Sequence, residues 1–216
     1  MTPHHRPSAT QLDRRLSAAF AKAPVVASVV GSQPLRDFLT APVSVCILAS
    51  VPVGKLPQVV PALGRAGKTV FVNVDSAPGL AQDRGALEFL KNMGAAGVVS
   101  TRLSLIEKGR PLGLLTMQKV FVTDRSNLNR SLDAVARGLP DLVEIMPAPI
   151  VARMSPESLR AMTPHVAAGF VQTAEDVTEA LGLGAVAAAT SDPRLWHLTH
   201  DTLPAAPAER GTHRPK

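Results

Sequence analysis

Between residues 25 and 196 short apolar runs alternate with stretches in which apolar residues recur every three or four positions. The runs are residues 25–30, 43–49, 69–75, 97–101, 114–122, 142–146, 166–169 and 185–189. Each is too short for a buried helix and is bounded by turn residues, so each is read as a strand. Leu56, Val59, Val60 and Leu63 share one helical face; so do Leu87, Leu90 and Met93, then Leu128, Leu132 and Val135, with a shorter stretch at Leu159 and Met162. Gly67, Gly94 and Gly138 suit left-handed helix stops, and Ser155 with Pro156 suits a helix start.

Eight apolar strands with intervening helices imply a parallel sheet covered by helices. In a chain of 216 residues this favours closure into a TIM-like (β/α)8 barrel, with an open doubly wound sheet as the alternative. Segments 34–40 and 103–108 are shorter than a usual crossover helix, so irregularity is expected at the first and fourth crossovers.

The last repeat is the most informative. Val166 to Gly169 ends in a glycine, and Thr173 with Asp176 forms a variant capping box before a helix carrying Val177, Ala180 and Leu181. A strand of small residues, 185–189, ends at Thr190 and Ser191, and Asp192-Pro193 opens a short helix. Two adjacent strand ends, each followed by a helix N-terminus rich in free N–H groups, predict an anion site. In eight-stranded barrels the phosphate is frequently held by the loops after strands seven and eight.

Composition narrows the classes. No apolar run has membrane-spanning length, and the N-terminus lacks the apolar region of a secretory signal. A single cysteine, Cys46, in an apolar run reads as a core residue and suits a reducing cytoplasm. The formal net charge of +6 sits mostly at the ends: residues 1–22 hold four Lys/Arg against one Asp, and residues 199–216 three against two. These ends read as a basic N-terminal extension, with a helix at 11–22, and a disordered C-terminal tail, flanking a barrel domain at 23–198. Aromatics are 3% of the chain with no Tyr, which argues against recognition of single strands dominated by stacking.

Barrel chemistry sits at the C-terminal strand ends. Asp75, Arg102, Lys119 and Glu144 fall there, facing the two final turns. Each alone reads most simply as an ion pair or rim residue; their convergence on one rim points to a ligand. Glu144 lies between Val143 and Ile145, so it needs Arg102, Lys119 or a ligand hydroxyl as partner. The six histidines show no metal-ligand spacing, and no Walker loop, dinucleotide fingerprint or zinc pattern occurs.

Six blocks then resemble a known family: VNVDSAPGLAQD (72–83), GVVSTR (97–102), MQKVFVTD (117–124), VEIMP (143–147), AAGFVQT (167–173) and GAVAAATS with LW (184–191, 195–196). In this order they are similar to the glycerol-3-phosphate-responsive antiterminators over about residues 25–196. The resemblance implies a TIM-like barrel that senses glycerol 3-phosphate, acts on leader mRNA of glycerol-utilisation genes, and is neither an enzyme nor dependent on a cofactor. It places Asp75, Arg102, Lys119, Glu144, Ala168, Gly169, Phe170, Thr190 and Ser191 at the ligand, and leaves a homo-oligomer open. Ala168 stands where the family has the first of two glycines, Ala148 replaces a glycine after Pro147, and Asn73 stands where a histidine is expected. The alternative function is an enzyme on a small phosphorylated substrate, with Lys119 as amine nucleophile or Glu144 as base.

Overall fold

The structure, a computed structural model, describes residues 12–31 and 34–205. Eight parallel strands close into a barrel in chain order, the last pairing with the first. They are β1 Val25–Val30, β2 Val45–Ala49, β3 Thr69–Asn73, β4 Gly97–Ser100, β5 Leu115–Phe121, β6 Leu142–Met146, β7 His165–Ala168 and β8 Ala187–Thr190. The helices are α1 Arg14–Lys22, α2 Leu35–Thr40, α3 Leu56–Arg65, α4 Arg84–Asn92, α5 Leu103–Gly109, α6 Arg125–Gly138, α7 Pro156–Ala161 and α8 Ala174–Gly182. The first and fourth crossovers are helical but short, as expected: α2 has six residues, and α5 has seven before a 3-10 turn at Arg110–Leu112. The sixth crossover is irregular as well, a 3-10 stretch at Ala148–Arg153 preceding the six-residue α7.

Period-two alternation divides the apolar strand residues between two cores. Inward-facing Val26, Val45, Ile47, Phe71, Val99, Leu115, Met117, Leu142, Val166, Ala187 and Ala189 fill the barrel, while outward residues such as Val72, Val98 and Val143 pack under the helices. Filling is uneven around the ring, with bulky side chains on β2 to β6, and Val166 and Ala168 on β7 and two alanines on β8. Gly97 makes room for one of the bulky groups: a Cβ there would lie 2.5 Å from the Phe71 ring and 2.6 Å from the Leu115 carbonyl oxygen.

The terminal segments correct the sequence reading. The N-terminal helix is shorter than expected, capped by Asp13, and it is not part of a free extension. Leu16 and Phe20, one turn apart, are buried in the same cluster as the barrel interior, so α1 plugs the end opposite the C-terminal mouth. Beyond Trp196 the chain also stays on the body: the His200 ring Nε2 lies 2.9 Å from the Phe20 carbonyl oxygen, and the Thr178 hydroxyl donates to the Pro204 carbonyl oxygen at 3.2 Å. The ordered unit therefore includes 13–22 and 199–205; residues 1–11 and 206–216 lie outside the described residues.

At the seam between β8 and β1, short α2 leaves the cover to Trp196, whose ring meets Phe38 edge-on at a centroid distance of 6.1 Å. The Trp196 indole N–H donates to the Thr190 carbonyl oxygen at 2.9 Å. Lys68 spans the base of this region, donating to the Ala41 and Val43 carbonyl oxygens at 2.7 and 2.8 Å with its ammonium 4.6 Å from the centre of the Phe38 ring. Cys46 is a buried core residue, as expected, and burial pushes its thiol pKa up.

His165 is buried on the outer face of β7 with neither ring nitrogen hydrogen-bonded. Burial lowers its pKa, so the folded protein holds it neutral.

Two stability measurements check this description. Phe20→Ala should lower the unfolding free energy by about 3–5 kcal/mol, the usual cost of emptying a buried aromatic site, as read by urea denaturation. For His165 the unfolded chain takes up a proton first as pH falls through about 6.5, so this residue removes stability on the acid side, by at most about 1.4 kcal/mol per pH unit. His165→Leu should therefore gain on the parent protein as pH falls from about 7 to about 5; a stability difference independent of pH would contradict the neutral buried imidazole.

Candidate functional site

Strand register selects which polar residues enter the barrel. Lys119 and Glu144 are direct partners across β5 and β6, each two residues beyond an inner-core side chain, Met117 and Leu142. Both point inward, at the level where the apolar filling ends. Lys119 Nζ lies 3.2 Å from Glu144 Oε2, and both side chains are largely buried. The contact is an ion pair without hydrogen-bond alignment, so Oε2 accepts no hydrogen bond. Burial pushes the Glu144 carboxyl pKa up, and the Lys119 ammonium pulls part of that shift back.

Of the partners considered for Glu144, Lys119 is the one present. Arg102 forms no ion pair among the described residues: it is the exposed N-cap of α5, with its backbone N–H donating to Ser100 Oγ at 3.0 Å. Asp75 lies just past β3 rather than within it, and its oxygens are taken by the protein. It accepts from Ser100 Oγ at 2.6 Å, from the Thr101 N–H at 2.6 Å and from Thr101 Oγ1 at 2.8 Å, a clamp holding the end of β4. Asn73, at the position where a histidine was expected, is buried and accepts the Asp75 N–H at 3.1 Å.

Around β7 and β8 the turns are as the sequence suggested, but their donors are partly used. Ala168 is buried inside the barrel and pairs in register with Ala189. Gly169 and Phe170 follow with φ of 79° and 61°. A left-handed glycine costs little, but a left-handed phenylalanine is a true outlier. A Cβ at Gly169 would come 3.1 Å from the Met146 methyl.

Thr173 and Asp176 form the expected capping box. In it the Asp176 carboxylate accepts the Gln172 and Thr173 N–H groups at 2.8 and 2.9 Å, so these are not free for an anion. The Thr190 hydroxyl is likewise occupied, donating to the Val171 carbonyl oxygen at 2.8 Å and accepting the Asp192 N–H at 3.1 Å. That pair of bonds ties the two turns together. Among the described residues the N–H groups of Gly169, Phe170, Val171 and Ser191 donate to no protein group, and the donors these turns could offer an anion narrow to them.

A depression of about 450 Å³ opens at Ser191, lined also by Val171, Gln172, Thr173, Thr190, Asp192 and Arg194. Arg194 was missed in the sequence. Its guanidinium is exposed and held by Asp192, Nε lying 3.0 Å from both carboxylate oxygens. An aspartate two positions before an arginine at the start of a short helix was the available signal. No group of metal-ligating side chains occurs among the described residues.

The loops at the C-terminal mouth of a closed parallel barrel are where barrel proteins of this class place their sites. The profile of the family described as glycerol-3-phosphate responsive antiterminator matches residues 25–196, and the chain belongs to that family. It is 30% identical over 186 residues to the uncharacterized protein YgcP of Escherichia coli K12, covering 83% of this chain and 95% of that one. Its fold resembles the crystal structure of the glycerol uptake operon antiterminator regulatory protein from Listeria monocytogenes, with TM-score 0.71 and 26% identity over 79% of this chain and 94% of that one. A glycerol uptake operon antiterminator-related protein from Thermotoga maritima matches with TM-score 0.72 and 24% identity, covering 82% and 99%; at that identity the likeness concerns the fold. The plug helix α1 lies outside the matched residues.

The ion pair yields a further test. Lys119→Met leaves Glu144 buried without its counter-charge and should cost about 3–5 kcal/mol at neutral pH. A carboxyl whose folded pKa is raised loses stability as pH rises, so the penalty should shrink as pH falls and Glu144 takes up its proton. The double variant Lys119→Met/Glu144→Leu should recover most of the loss in thermal denaturation.

Proposed function

We propose that this protein is a cytoplasmic regulator that binds glycerol 3-phosphate at the mouth of its barrel and, in that state, binds the leader mRNA of glycerol-utilisation genes to prevent premature termination. It does so without catalysis and without a cofactor. Family membership supports the antiterminator reading, and the observation that carries the ligand site is the set of unpaired N–H groups at Gly169, Phe170 and Ser191, past the C-terminal ends of β7 and β8, at the barrel end toward which β5 and β6 carry the Lys119–Glu144 pair.

The phosphate accepts from those N–H groups, with the Ser191 hydroxyl and the Arg194 guanidinium at its edge. Lys119 and Glu144 are the inward polar groups for the glycerol hydroxyls: the Glu144 oxygen that lacks a hydrogen bond accepts from one of them, and a hydroxyl oxygen accepts from the ammonium. Asp75 and Thr190 act through the backbone they hold in place, and Ala168 acts by its small volume. Arg102 contributes long-range charge at the rim. Among the described residues no helix is long and apolar enough to cross a membrane.

Titration calorimetry tests the site. Wild-type protein should bind glycerol 3-phosphate, and glycerol should bind at least about tenfold more weakly because charge-assisted phosphate contacts are lost. Gly169→Val, which cannot keep a φ of 79° without strain, should abolish the heat while leaving the circular-dichroism spectrum native. Undiminished affinity in this variant would remove the β7 turn from the site.

A further inference from the structure

Phe170 is 73% exposed, the most exposed of the large apolar side chains, in a chain with only six phenylalanines and no tyrosine. Its left-handed backbone, directly after left-handed Gly169, turns the ring outward while Val171 next in sequence is buried. A strained conformation that exposes an apolar ring opposes both backbone preference and burial, and such strain concentrates where it is used.

The ring borders a groove of about 400 Å³ between α8 and the 3-10 stretch at Ala148–Arg153, shared with Arg153, Asp176, Glu179 and Leu183. That volume accommodates a nucleotide-sized group. Among the described residues Arg153 and Glu179 are exposed and in no ion pair, whereas Asp176 spends its carboxylate on the capping box. Arg153 also lines the adjoining groove toward α6, where Arg125 is exposed and unpaired. An aromatic face and a line of free arginines match the chemistry of an unpaired nucleotide and the phosphates beside it. The Glu179 carboxylate repels phosphate but accepts a hydrogen bond from the exocyclic amine of a base.

We infer that the groove between α8 and the Ala148–Arg153 stretch receives one unpaired, amine-bearing base of the bound RNA, stacked on Phe170, with Arg153 and Arg125 on the adjoining phosphates. The inference rests on the antiterminator reading and adds to it the face that touches RNA. It also gives that reading a route for coupling. The loop from Gly169 to Thr173 is a wall between the two cavities: Phe170 borders this groove, and Val171, Gln172 and Thr173 border the depression assigned to the phosphate. A ligand held by the Gly169 N–H fixes the loop that carries the ring. By reciprocity, RNA then tightens the ligand by the same factor.

The test uses full-length protein saturated with glycerol 3-phosphate, so that changes in ligand affinity are titrated out, and reads fluorescence anisotropy of labelled leader RNA and of short oligocytidylate and oligouridylate. Phe170→Ala should weaken leader RNA binding by about 5- to 150-fold, and Phe170→Trp should restore it. Arg153→Ala should weaken binding of all three probes and reduce the slope of log affinity against log salt by about one. Wild type should prefer oligocytidylate to oligouridylate, and Glu179→Ala should remove that preference. Leader RNA bound by wild type and equally by Phe170→Ala and Arg153→Ala overturns the groove while leaving the antiterminator reading intact. No binding of leader RNA by wild type at any salt concentration overturns both.

Discussion

Closure of the sheet by pairing β8 with β1 is the constraint on which the rest depends. A closed eight-stranded parallel barrel has an interior just wide enough to be filled by side chains, and no edge to relieve a bad fit. Every inward position must therefore suit the ring as a whole. Here β2 to β6 supply bulk through Ile47, Phe71, Val99, Met117 and Leu142, and the C-terminal ends of β7 and β8 supply Ala168 and Ala189. The small residues lie beneath the two turns with free N–H groups. Volume at one side of the barrel and bare backbone at the other thus follow from one packing solution.

Filling stops at different levels at the two ends. At the base, Leu16 and Phe20 of α1 complete the apolar column. At the mouth, the column gives way to Lys119 and Glu144, paired with each other but incompletely hydrogen-bonded. A buried ion pair of this kind is weak support for stability, since desolvation consumes much of the attraction. A pair that contributes little to folding fits the proposed role of receiving a ligand's hydroxyls.

The acids of the mouth differ from the arginines in how they are used. Asp75, Asp83, Asp124, Asp176 and Asp192 each accept backbone N–H groups and fix the start of a helix or the end of a strand. Arg102, Arg125 and Arg153 are exposed and in no ion pair among the described residues. These acids thus spend their charge on backbone N–H groups, while the three arginines keep theirs toward solvent.

Much of the architecture is a local property of the sequence. Strand length, the glycine stops and the Thr173–Asp176 box depend on residues within a turn or two of one another, so eight strands and their order were legible, with ends off by one or two residues. Inward placement of Glu144 followed from alternation alone. The N-terminal helix was legible but its role as a plug was not, because two apolar residues one turn apart in a basic stretch name no partner until the open barrel base that they fill exists. Nor was the use of Asp75 and Thr190, whose side chains looked free for a ligand. Asp75 and Thr190 find their partners 19 to 26 residues away, and Asp176 takes the N–H groups its own helix start would have offered. The choice of Lys119 over Arg102 for Glu144 depended on strand register, and the meeting of Phe170 with Arg153 on the path of the chain between β6 and β7. Local chemistry wrote the elements; which polar groups remain free for a ligand was decided by contacts between elements, which exist only once the barrel closes.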